Sequence, residues 1–346
     1  MAGEERTLNG AHSSGNGIAS TSVVAFLGPV SSYTHQAALQ TFPGSRYDLR
    51  PKVNIDEVFD AVQRGDADFG VVPFENSTNG SVIFTLDNLA NRHGTWPDIS
   101  VCGETYVDVH HYLLGHKTPS TPFPTLDESG SGSATPTASD PHPPRPRTRP
   151  LVSLRHIQRL YSHPQAWGQC AVFLSTYLRG VETIDVSSTS RAAEMVKEDP
   201  TGNSAAISSE IAARVYGLDV LARHIEDRED NTTRFFVLRK TTRPELDGPV
   251  RELPSGERRT KSLVSFTVPH REPGALADVL DCFRRKRLNL TSINSRPSLR
   301  EAFQYLFFVE IEGHYDLDEG VREAFEEMKG VAESCRWLGS WDSQRG

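Results

Sequence analysis

Polar side chains that can bind an anion stand directly before an apolar run in the segment 229–238, EDNTTRFFVL. Asn231, two threonines and Arg234 precede Phe235–Leu238, whose aromatic and β-branched residues predict a short buried strand. A polar turn before a strand is the common explanation for such a pattern. The alternative is a site where hydroxyls and a guanidinium bind carboxylates.

Four further segments carry similar side chains at predicted strand ends or helix starts. They are GPVSSYTHQAA (28–38), PFENSTNGSV (73–82), SHPQAWGQC (162–170) and SSTSRAAE (187–194). Each alone has an ordinary explanation as a helix N-cap or a turn. The candidate caps are Ser31, Ser32 and Thr189 or Ser190, and the candidate turn residue is His163. Together the segments offer hydroxyls, amides and helix-start N–H groups, which bind anions. We therefore predict that the five segments line one cleft.

Motifs of the common cofactor-dependent and covalent mechanisms do not occur in the sequence. There is no P-loop, no GxGxxG at a first strand–helix turn, no GxSxG and no HExxH. Three histidines close together, His110, His111 and His116, raise the question of a metal. Adjacent residues on a strand point to opposite faces, so we expect no metal site there. We also expect no cofactor.

The composition narrows the class of protein. The 346 residues carry a formal net charge of −8, which argues against a general nucleic-acid binder but not against small anionic substrates. No apolar run reaches the ~18 residues of a membrane span, and the first 20 residues fit no secretory or mitochondrial leader. Four widely separated cysteines are typical of reduced thiols. We expect a cytoplasmic protein that binds neither membrane nor nucleic acid.

Three stretches rich in small residues and proline divide the chain. Residues 1–20 are predicted to be a disordered head, 117–150 a disordered insertion in a surface loop, and 241–260 a linker between domains. The basic end of the insertion, 145–150, is predicted to be a solvated tail, with a docking patch as the alternative. Two domains remain, 21–240 and 261–346.

The first domain alternates strands with helices. Residues 23–28 and 67–74 read as strands, and helices are predicted from Tyr33 and over 55–65 and 208–217. This alternation is typical of an α/β fold with a mostly parallel sheet and helices on both faces. Ligands of such folds bind beyond the carboxyl ends of the strands.

The second domain shows a different order of elements. A strand over 262–269, a helix over 274–287 and strands over 288–297 and 302–313 are followed by a second helix and a final strand. This βαββαβ order predicts a ferredoxin-like module.

The order and content of these segments resemble the prephenate dehydratase family. The segments GPVSSYTHQAA, VVPFENSTNGSV, SHPQAWGQC, AAISSEIAARVYGL and NTTRFFVL occur in the family's order, and the last module resembles the ACT domain that the family carries. The resemblance implies two α/β lobes similar to type II periplasmic binding proteins, with the active site between them. It covers nearly the whole chain outside the head, the insertion and the linker.

The resemblance implies an activity and a set of site residues. Prephenate loses its ring carboxylate as CO2 and its ring hydroxyl as water to give phenylpyruvate, and this needs no metal, redox cofactor or covalent nucleophile. It does need a donor to the leaving hydroxyl. Thr233 is expected to be that donor, and Phe235 to pack and shape the cleft. Arg234 is expected to pair with a carboxylate of the protein, such as Glu75, or with one of the substrate. The remaining substrate-binding candidates are Ser31, Tyr33, Asn76, Ser77, Ser162, His163, Gln165 and Thr189.

The same resemblance implies L-phenylalanine as an allosteric inhibitor and a homodimer or homotetramer. PGALADVL is similar to the family's GALV-type motif and the region LNLTSINSRP to its ESRP region. The implied effector-binding residues are Gly274, Ala275, Leu276, Asn289, Leu290, Asn294, Ser295 and Arg296. The family's motif glutamate is Asn294 here and its valine is Ala277, which bears on the strength of effector binding. Two alternatives stay open: an arogenate dehydratase and a non-catalytic amino-acid sensor.

Overall fold

The computed structural model describes residues 21–117, 146–242 and 259–345. The predicted head (1–20) lies outside the described residues, as do most of the predicted insertion (118–145) and most of the predicted linker (243–258). The described chain forms three β-sheets with helices packed around them. No helix in these described ranges is long and apolar enough to cross a membrane.

The first lobe is built on a sheet with strand order β2-β1-β3-β11-β5, with β4 paired to β3. Its elements are β1 (Ser22–Leu27), α1 (Tyr33–Thr41), β2 (Tyr47–Lys52), α2 (Ile55–Arg64), β3 (Phe69–Asn76), β4 (Gly80–Ser81), α3 (Ile83–Ala90), β5 (Ile99–Asp108) and β11 (Thr232–Lys240). Helix α2 shows how local sequence fixes these elements. Asn54 caps its first turn, Gly65 ends it with φ 80°, and Val58, Phe59 and Val62 on one face are buried.

The second lobe is built on a sheet with strand order β10-β6-β9-β7-β8. Its elements are β6 (Tyr112–Gly115), β7 (Arg159–Ser162), α4 (Pro164–Gln169), α5 (Ala171–Tyr177), β8 (Glu182–Asp185), α6 (Thr189–Glu198), β9 (Ser204–Ser208), α7 (Glu210–Tyr216) and β10 (Asp219–Ala222). The chain enters this lobe through residues 109–111 and leaves it through 223–231.

The predicted mostly parallel sheet is found in both lobes, with one exception in each: of the five strands in each order given above, four run in the same direction, and β11 or β6 runs against them. In the first lobe β1 pairs in parallel with β2 and β3, but β11 pairs antiparallel with β3 and β5. In the second lobe β7 is parallel to β8 and β9, but β6 is antiparallel to β9 and β10. The chain crosses between the lobes twice, through residues 109–111 and 223–231. We call this the double crossing. Because of it, β11 begins at the edge of the first sheet where β3 and β5 end, and it runs in the opposite direction.

The C-terminal module confirms the predicted ferredoxin-like fold. Its elements are β12 (Thr260–Thr267), α8 (Ala275–Arg285), β13 (Leu290–Pro297), β14 (Tyr305–Glu312), α9 (Glu319–Val331) and β15 (Ser334–Asp342). The antiparallel sheet has strand order β13-β14-β12-β15, with β13 at an edge. The two-lobed α/β region followed by a βαββαβ module is therefore the fold.

The C-terminal module packs against the first lobe. Leu263, Phe308, Leu338 and Trp341 share one apolar core with Phe236 and other residues of the first sheet. Gly339 has φ 135°, and a Cβ there would lie 1.9 Å from the carbonyl oxygen of Val101. Only glycine lets β15 approach β5 so closely.

Candidate active site

Two sheet edges face each other across the chain crossings. Strands β1, β3 and β5 end, and β11 begins, at one edge of the first sheet, because β11 runs antiparallel to its neighbours. Strands β7, β8 and β9 end at one edge of the second sheet, where β6 begins and β10 ends. Both crossings join these two edges. The five polar segments therefore lie on the two sides of one cleft.

Asn76 at the end of β3 holds Thr233 at the start of β11. Its Oδ1 accepts the backbone N–H groups of Thr78 (3.0 Å) and Asn79 (2.9 Å), which fixes the orientation of the amide. Its Nδ2 consequently points to Thr233 Oγ1 at 3.0 Å and also donates to Asn231 Oδ1 at 2.8 Å. Because the Thr233 oxygen accepts this hydrogen bond, its own proton is free to be donated to another group.

Neighbouring hydroxyls of the same two segments are used for structure. Ser77 Oγ donates to the Asp230 carbonyl at 2.8 Å and accepts the Thr232 N–H at 3.0 Å. Thr232 Oγ1 donates to Asp108 Oδ1 at 2.7 Å. Of the two adjacent threonines, Thr232 is buried and Thr233, at the cleft end of β11, is half-buried.

Arg234 pairs with carboxylates of the protein, as predicted, but these are Glu104 and Glu310 and not the suggested Glu75. Alternation along β11 sends its side chain to the sheet face that the C-terminal module covers. There its Nη2 lies 2.5 Å from Glu104 Oε2 and 2.5 Å from Glu310 Oε2, and the Arg234 side chain is only 7% exposed. Burial by itself would lower the pKa of Arg234, but these two carboxylates outweigh it and raise the pKa. Arg234 is therefore held away from the cleft.

Phe235 and Ser162 are enclosed in the protein interior. Phe235 is 1% exposed and packs with Val24, Phe26 and Phe42 between the first sheet and α1. Its packing in the interior agrees with one part of the prediction, and its role in shaping the cleft stays a prediction. Ser162 is fully buried and donates to the Ile207 carbonyl at 3.0 Å, so its hydroxyl is not available to a substrate in the cleft.

Ser31 joins the two lobes. Its Oγ donates to Ser190 Oγ at 2.9 Å, and its carbonyl accepts from Ser209 Oγ at 3.1 Å. Ser31 has φ 74° and caps no helix, because the N-caps of α1 and α6 are Ser32 and Ser188. The capping explanation for Ser31, Thr189 and Ser190 is thus wrong. Sequence reasoning also missed Ser209, although a pair of adjacent serines marks the start of α7 as it does that of α6.

Tyr33 contacts the first crossing between the lobes. Its hydroxyl donates to the His110 carbonyl at 2.9 Å and lies 3.2 Å from His111 Nδ1, while His111 Nε2 lies 2.6 Å from Gln169 Oε1. Burial raises the pKa of Tyr33 and lowers the pKa of His111, so both are neutral near pH 7. Tyr33 therefore positions the crossing with a neutral hydrogen-bond network.

The other substrate-binding candidates lie around the cleft. His163 caps α4, its Nδ1 accepting the Gln165 N–H at 3.3 Å, and burial lowers the pKa of His163. Gln165 is exposed, Glu75 is half-buried beside β4, and the Thr189 carbonyl accepts from Ser208 Oγ at 2.8 Å.

A group of possible metal ligands lies at the crossings. His110, His224 and Glu226 bring their ligand atoms within 4.8 Å of one another, a donor set that zinc accepts. Glu226, however, already accepts the His111 N–H at 2.8 Å, contacts His110 Nδ1 at 3.0 Å and has Arg147 Nη1 at 3.5 Å. A metal would have to replace the Arg147 contact. Arg147 also corrects the prediction of a solvated basic tail, since its side chain is only 11% exposed.

A pocket of about 530 Å³ lies beside the start of α8 in the C-terminal module. Of the expected effector-binding residues, Gly274, Ala275 and Leu276 line it, together with Val268 just after β12 and Phe307 of β14. The others, Asn289, Leu290, Asn294, Ser295 and Arg296, are not among its lining residues within one chain.

Two of the expected effector residues instead contact the first lobe. Asn294 Oδ1 accepts from Ser81 Oγ at 2.6 Å. Arg296 forms two hydrogen bonds with Asp87, at 2.8 and 2.9 Å. Strand β13 is thus tied to β4 through Ser81 and to α3 through Asp87.

The fold and the cleft define a two-lobed α/β protein with hydroxyl and amide groups between its lobes and a pocketed ferredoxin-like module behind one of them. The family model described as prephenate dehydratase matches residues 24–243. The chain therefore belongs to the prephenate dehydratase family and is an enzyme.

Individual relatives agree with this membership. The bifunctional chorismate mutase/prephenate dehydratase of Aquifex aeolicus is 36% identical over 319 residues, which cover 92% of this chain and 73% of that protein. The probable prephenate dehydratase of Saccharomyces cerevisiae is 30% identical over 351 residues, which cover 91% of this chain and 94% of that protein. The crystal structure of prephenate dehydratase from Arthrobacter aurescens in complex with L-Phe matches with a TM-score of 0.71 and 28% sequence identity. The match covers 93% of this chain and 90% of that chain.

Proposed function

We propose that this enzyme converts prephenate to phenylpyruvate, CO2 and water, with Thr233 as the hydrogen-bond donor to the leaving ring hydroxyl. The orientation of Asn76 carries the proposal, because it leaves the Thr233 proton free to be donated. The C–O bond to the ring hydroxyl and the C–C bond to the ring carboxylate both break. The electron pair of the C–C bond completes the aromatic ring, and the hydroxyl leaves as water after gaining a proton.

The cleft can hold the other charges of this substrate. Prephenate carries two carboxylates, and the starts of α1 and α6 present N–H groups beside Ser32 and Ser188. The side-chain carboxylate binds best where such donors are available. The ring carboxylate, which leaves as CO2, is favoured to depart where fewer donors solvate it.

Regulation forms the second part of the proposal. Residues 261–346 act as an ACT domain whose pocket beside Gly274 binds L-phenylalanine, the end product, and residues 21–240 are the catalytic domain. The related enzyme from Arthrobacter aurescens was crystallised with L-Phe. The protein assembles as a homodimer or homotetramer in which the edge strand β13 of a second copy completes the effector site.

The decisive experiment measures phenylpyruvate release from prephenate by the purified full-length protein, beside phenylalanine release from arogenate. We expect turnover of prephenate with the higher kcat/KM. If kcat/KM is higher for arogenate, then arogenate and not prephenate is the preferred substrate. No turnover of either compound, together with tight amino-acid binding, would make the protein a sensor.

A further inference from the structure

Four charged side chains are buried together between the first lobe and the C-terminal module. Arg234 and Glu104 come from the first lobe, and Lys261 and Glu310 from the module; their side chains are 7%, 0%, 13% and 1% exposed. Lys261 Nζ lies 3.6 Å from Glu104 Oε1 and 3.3 Å from Glu310 Oε1. Two cations balance two anions, so each charge depends on the others for compensation.

Arg234 occupies the position next to Thr233. The pairing of β11 with β3 is irregular between Arg234 and Phe235, a bulge of the kind that re-aims a neighbouring side chain. The Arg234 guanidinium lies over the rings of Phe74, Tyr106 and Phe236, 5.0 to 5.9 Å from their centroids. Because Arg234 and Thr233 are joined by one peptide bond, the anchored Arg234 side chain constrains the backbone on which Thr233 is carried.

Glu310 connects this anchor to strand β13. Its Oε2 contacts Arg234, and its Oε1 accepts from Thr291 Oγ1 of β13 at 2.7 Å. The anchor of a first-lobe strand is thus supplied by the C-terminal module.

We propose that Glu310 makes the C-terminal module a working part of the active site: it fixes Arg234 as a positioning residue, and Arg234 directs Thr233 at the substrate. A shift of β13 changes the contact with Glu310 and so reaches the reacting hydroxyl. This proposal rests on the proposed function, which assigns the donor role to Thr233. Arg234 touches no substrate in this scheme.

The test measures kcat and KM for prephenate with full-length Glu310→Gln, which keeps the size of the side chain and removes its charge. We expect kcat to fall about tenfold or more while KM changes less than about twofold, because only transition-state positioning is lost. The matched control is Arg336→Gln. It also removes a cation between the module and the first lobe, bonded to the carbonyls of Leu89, Trp96, Pro97 and Ile99, but it does not contact β11.

A double-mutant cycle separates positioning from a general loss of stability. In a Thr233→Ala background, Glu310→Gln should lower the residual kcat less than about twofold, since the group it positions is gone. Independent effects that multiply in the double variant would overturn the proposal, as would wild-type kcat in folded Glu310→Gln. If Glu310→Gln does not fold, Arg234→Lys replaces it with the same expected fall in kcat. Wild-type turnover of prephenate, measured first, tests the proposed function separately.

Discussion

The Ser31 and Ser190 hydroxyls meet 2.9 Å apart, one from each lobe, at a point where both residues are buried. This contact joins the loop after β1 to the first turn of α6. It fixes the distance between the two sides of the cleft, so the dimensions of the substrate site depend on a hydrogen bond between side chains that do not themselves need to touch the substrate.

Replacing Ser190 by alanine should destabilise the protein by about 1–3 kcal/mol, because the buried Ser31 hydroxyl loses its partner. Urea unfolding checks this value. Ser187→Ala, an exposed serine just before α6, is the control and should change little. The double variant Ser31→Ala/Ser190→Ala should recover part of the loss, since no hydroxyl is then left unpaired. If the loss of unfolding free energy in the double variant equals the sum of the losses in the two single variants, the two hydroxyls do not interact.

Thr233→Ala should lower kcat roughly 10²–10³-fold, the effect expected for one transition-state hydrogen-bond donor. Thr233→Ser keeps the hydroxyl and is the matched control, with activity well above that of the alanine variant. Steady-state turnover of prephenate and circular dichroism of each variant give the answer. Alanine activity within a few-fold of wild type would remove Thr233 from the donor role.

Gly274→Val should weaken inhibition by L-phenylalanine. Gly274 has φ 92°, where a β-branched residue is strained, and it lines the pocket of the C-terminal module. A coupling free energy of the usual ~1–3 kcal/mol between the effector and substrate sites corresponds to a 5–150-fold effect of L-phenylalanine on the apparent affinity for substrate. The variant should lose this effect. The measurement is turnover with saturating L-phenylalanine divided by turnover without it.

The control for Gly274 is Gly274→Ala, which shares the backbone strain and fills less of the pocket. It should retain more inhibition than the valine variant. Equal loss in both would assign the effect to strain alone. Calorimetry that shows no L-phenylalanine binding to the wild-type protein would reject the effector site itself.

Replacing residues 119–144 by a short Gly/Ser linker should leave prephenate turnover within about twofold of wild type. The segment is rich in Pro, Ser, Thr and Gly and has no apolar periodicity with which to pack. The deletion keeps Arg147, which contacts Glu226. A second deletion that extends through Arg147 is the comparison, and it should lower stability. Insoluble or inactive protein from the shorter deletion would show that the segment has a structural role.

Asp87 should make a pH-dependent contribution to stability. Burial would raise the pKa of its carboxyl, but hydrogen bonds from Arg296 and Arg92 outweigh this and lower it. Because the pKa is lower in the folded state than the ~3.9 of the unfolded chain, the ionised carboxylate stabilises the folded state at pH values above ~3.9. This stabilisation is lost as the pH falls through the folded-state pKa. The difference in unfolding free energy between wild type and Asp87→Asn should therefore be constant near neutral pH and shrink below pH ~4.

Glu194→Gln is the control for Asp87, because its pair with Arg191 is exposed and contributes little. Its difference from wild type should stay near zero at every pH. If the difference in unfolding free energy between wild type and Asp87→Asn does not change on acidification, the ion pair of Asp87 with the two arginines does not stabilise the fold.

Local patterns in the sequence predicted the elements well, while partners distant in the chain could not be predicted. Alternation and capping predicted α2 and β1 to within one residue at each end and the elements of the βαββαβ module to within about three. The carboxylates that hold Arg234, in contrast, lie in β5 and in a different domain, where no spacing rule points to them. The antiparallel return of β11 likewise follows from the double crossing, which local periodicity does not encode.

The cleft was predictable as a set of segments but not in its details. Five polar segments indicated one site, and the structure places them on facing edges. Which hydroxyl remains free was decided by the orientation of Asn76, a property of its hydrogen-bond partners in the folded chain. Ser162 fitted the pattern equally well and proved to be fully buried.

The contact of Gly339 with the Val101 carbonyl has a consequence for how such proteins can be recombined. The first lobe recognises the final strand by the shape of its backbone at one point, where even a methyl group would collide. A ferredoxin-like module taken from another protein could replace residues 259–345 and fold correctly, yet it would dock only if it brought a glycine to this position. Exchange of the C-terminal module therefore depends on one residue that lines neither the pocket of that module nor the cleft between the lobes.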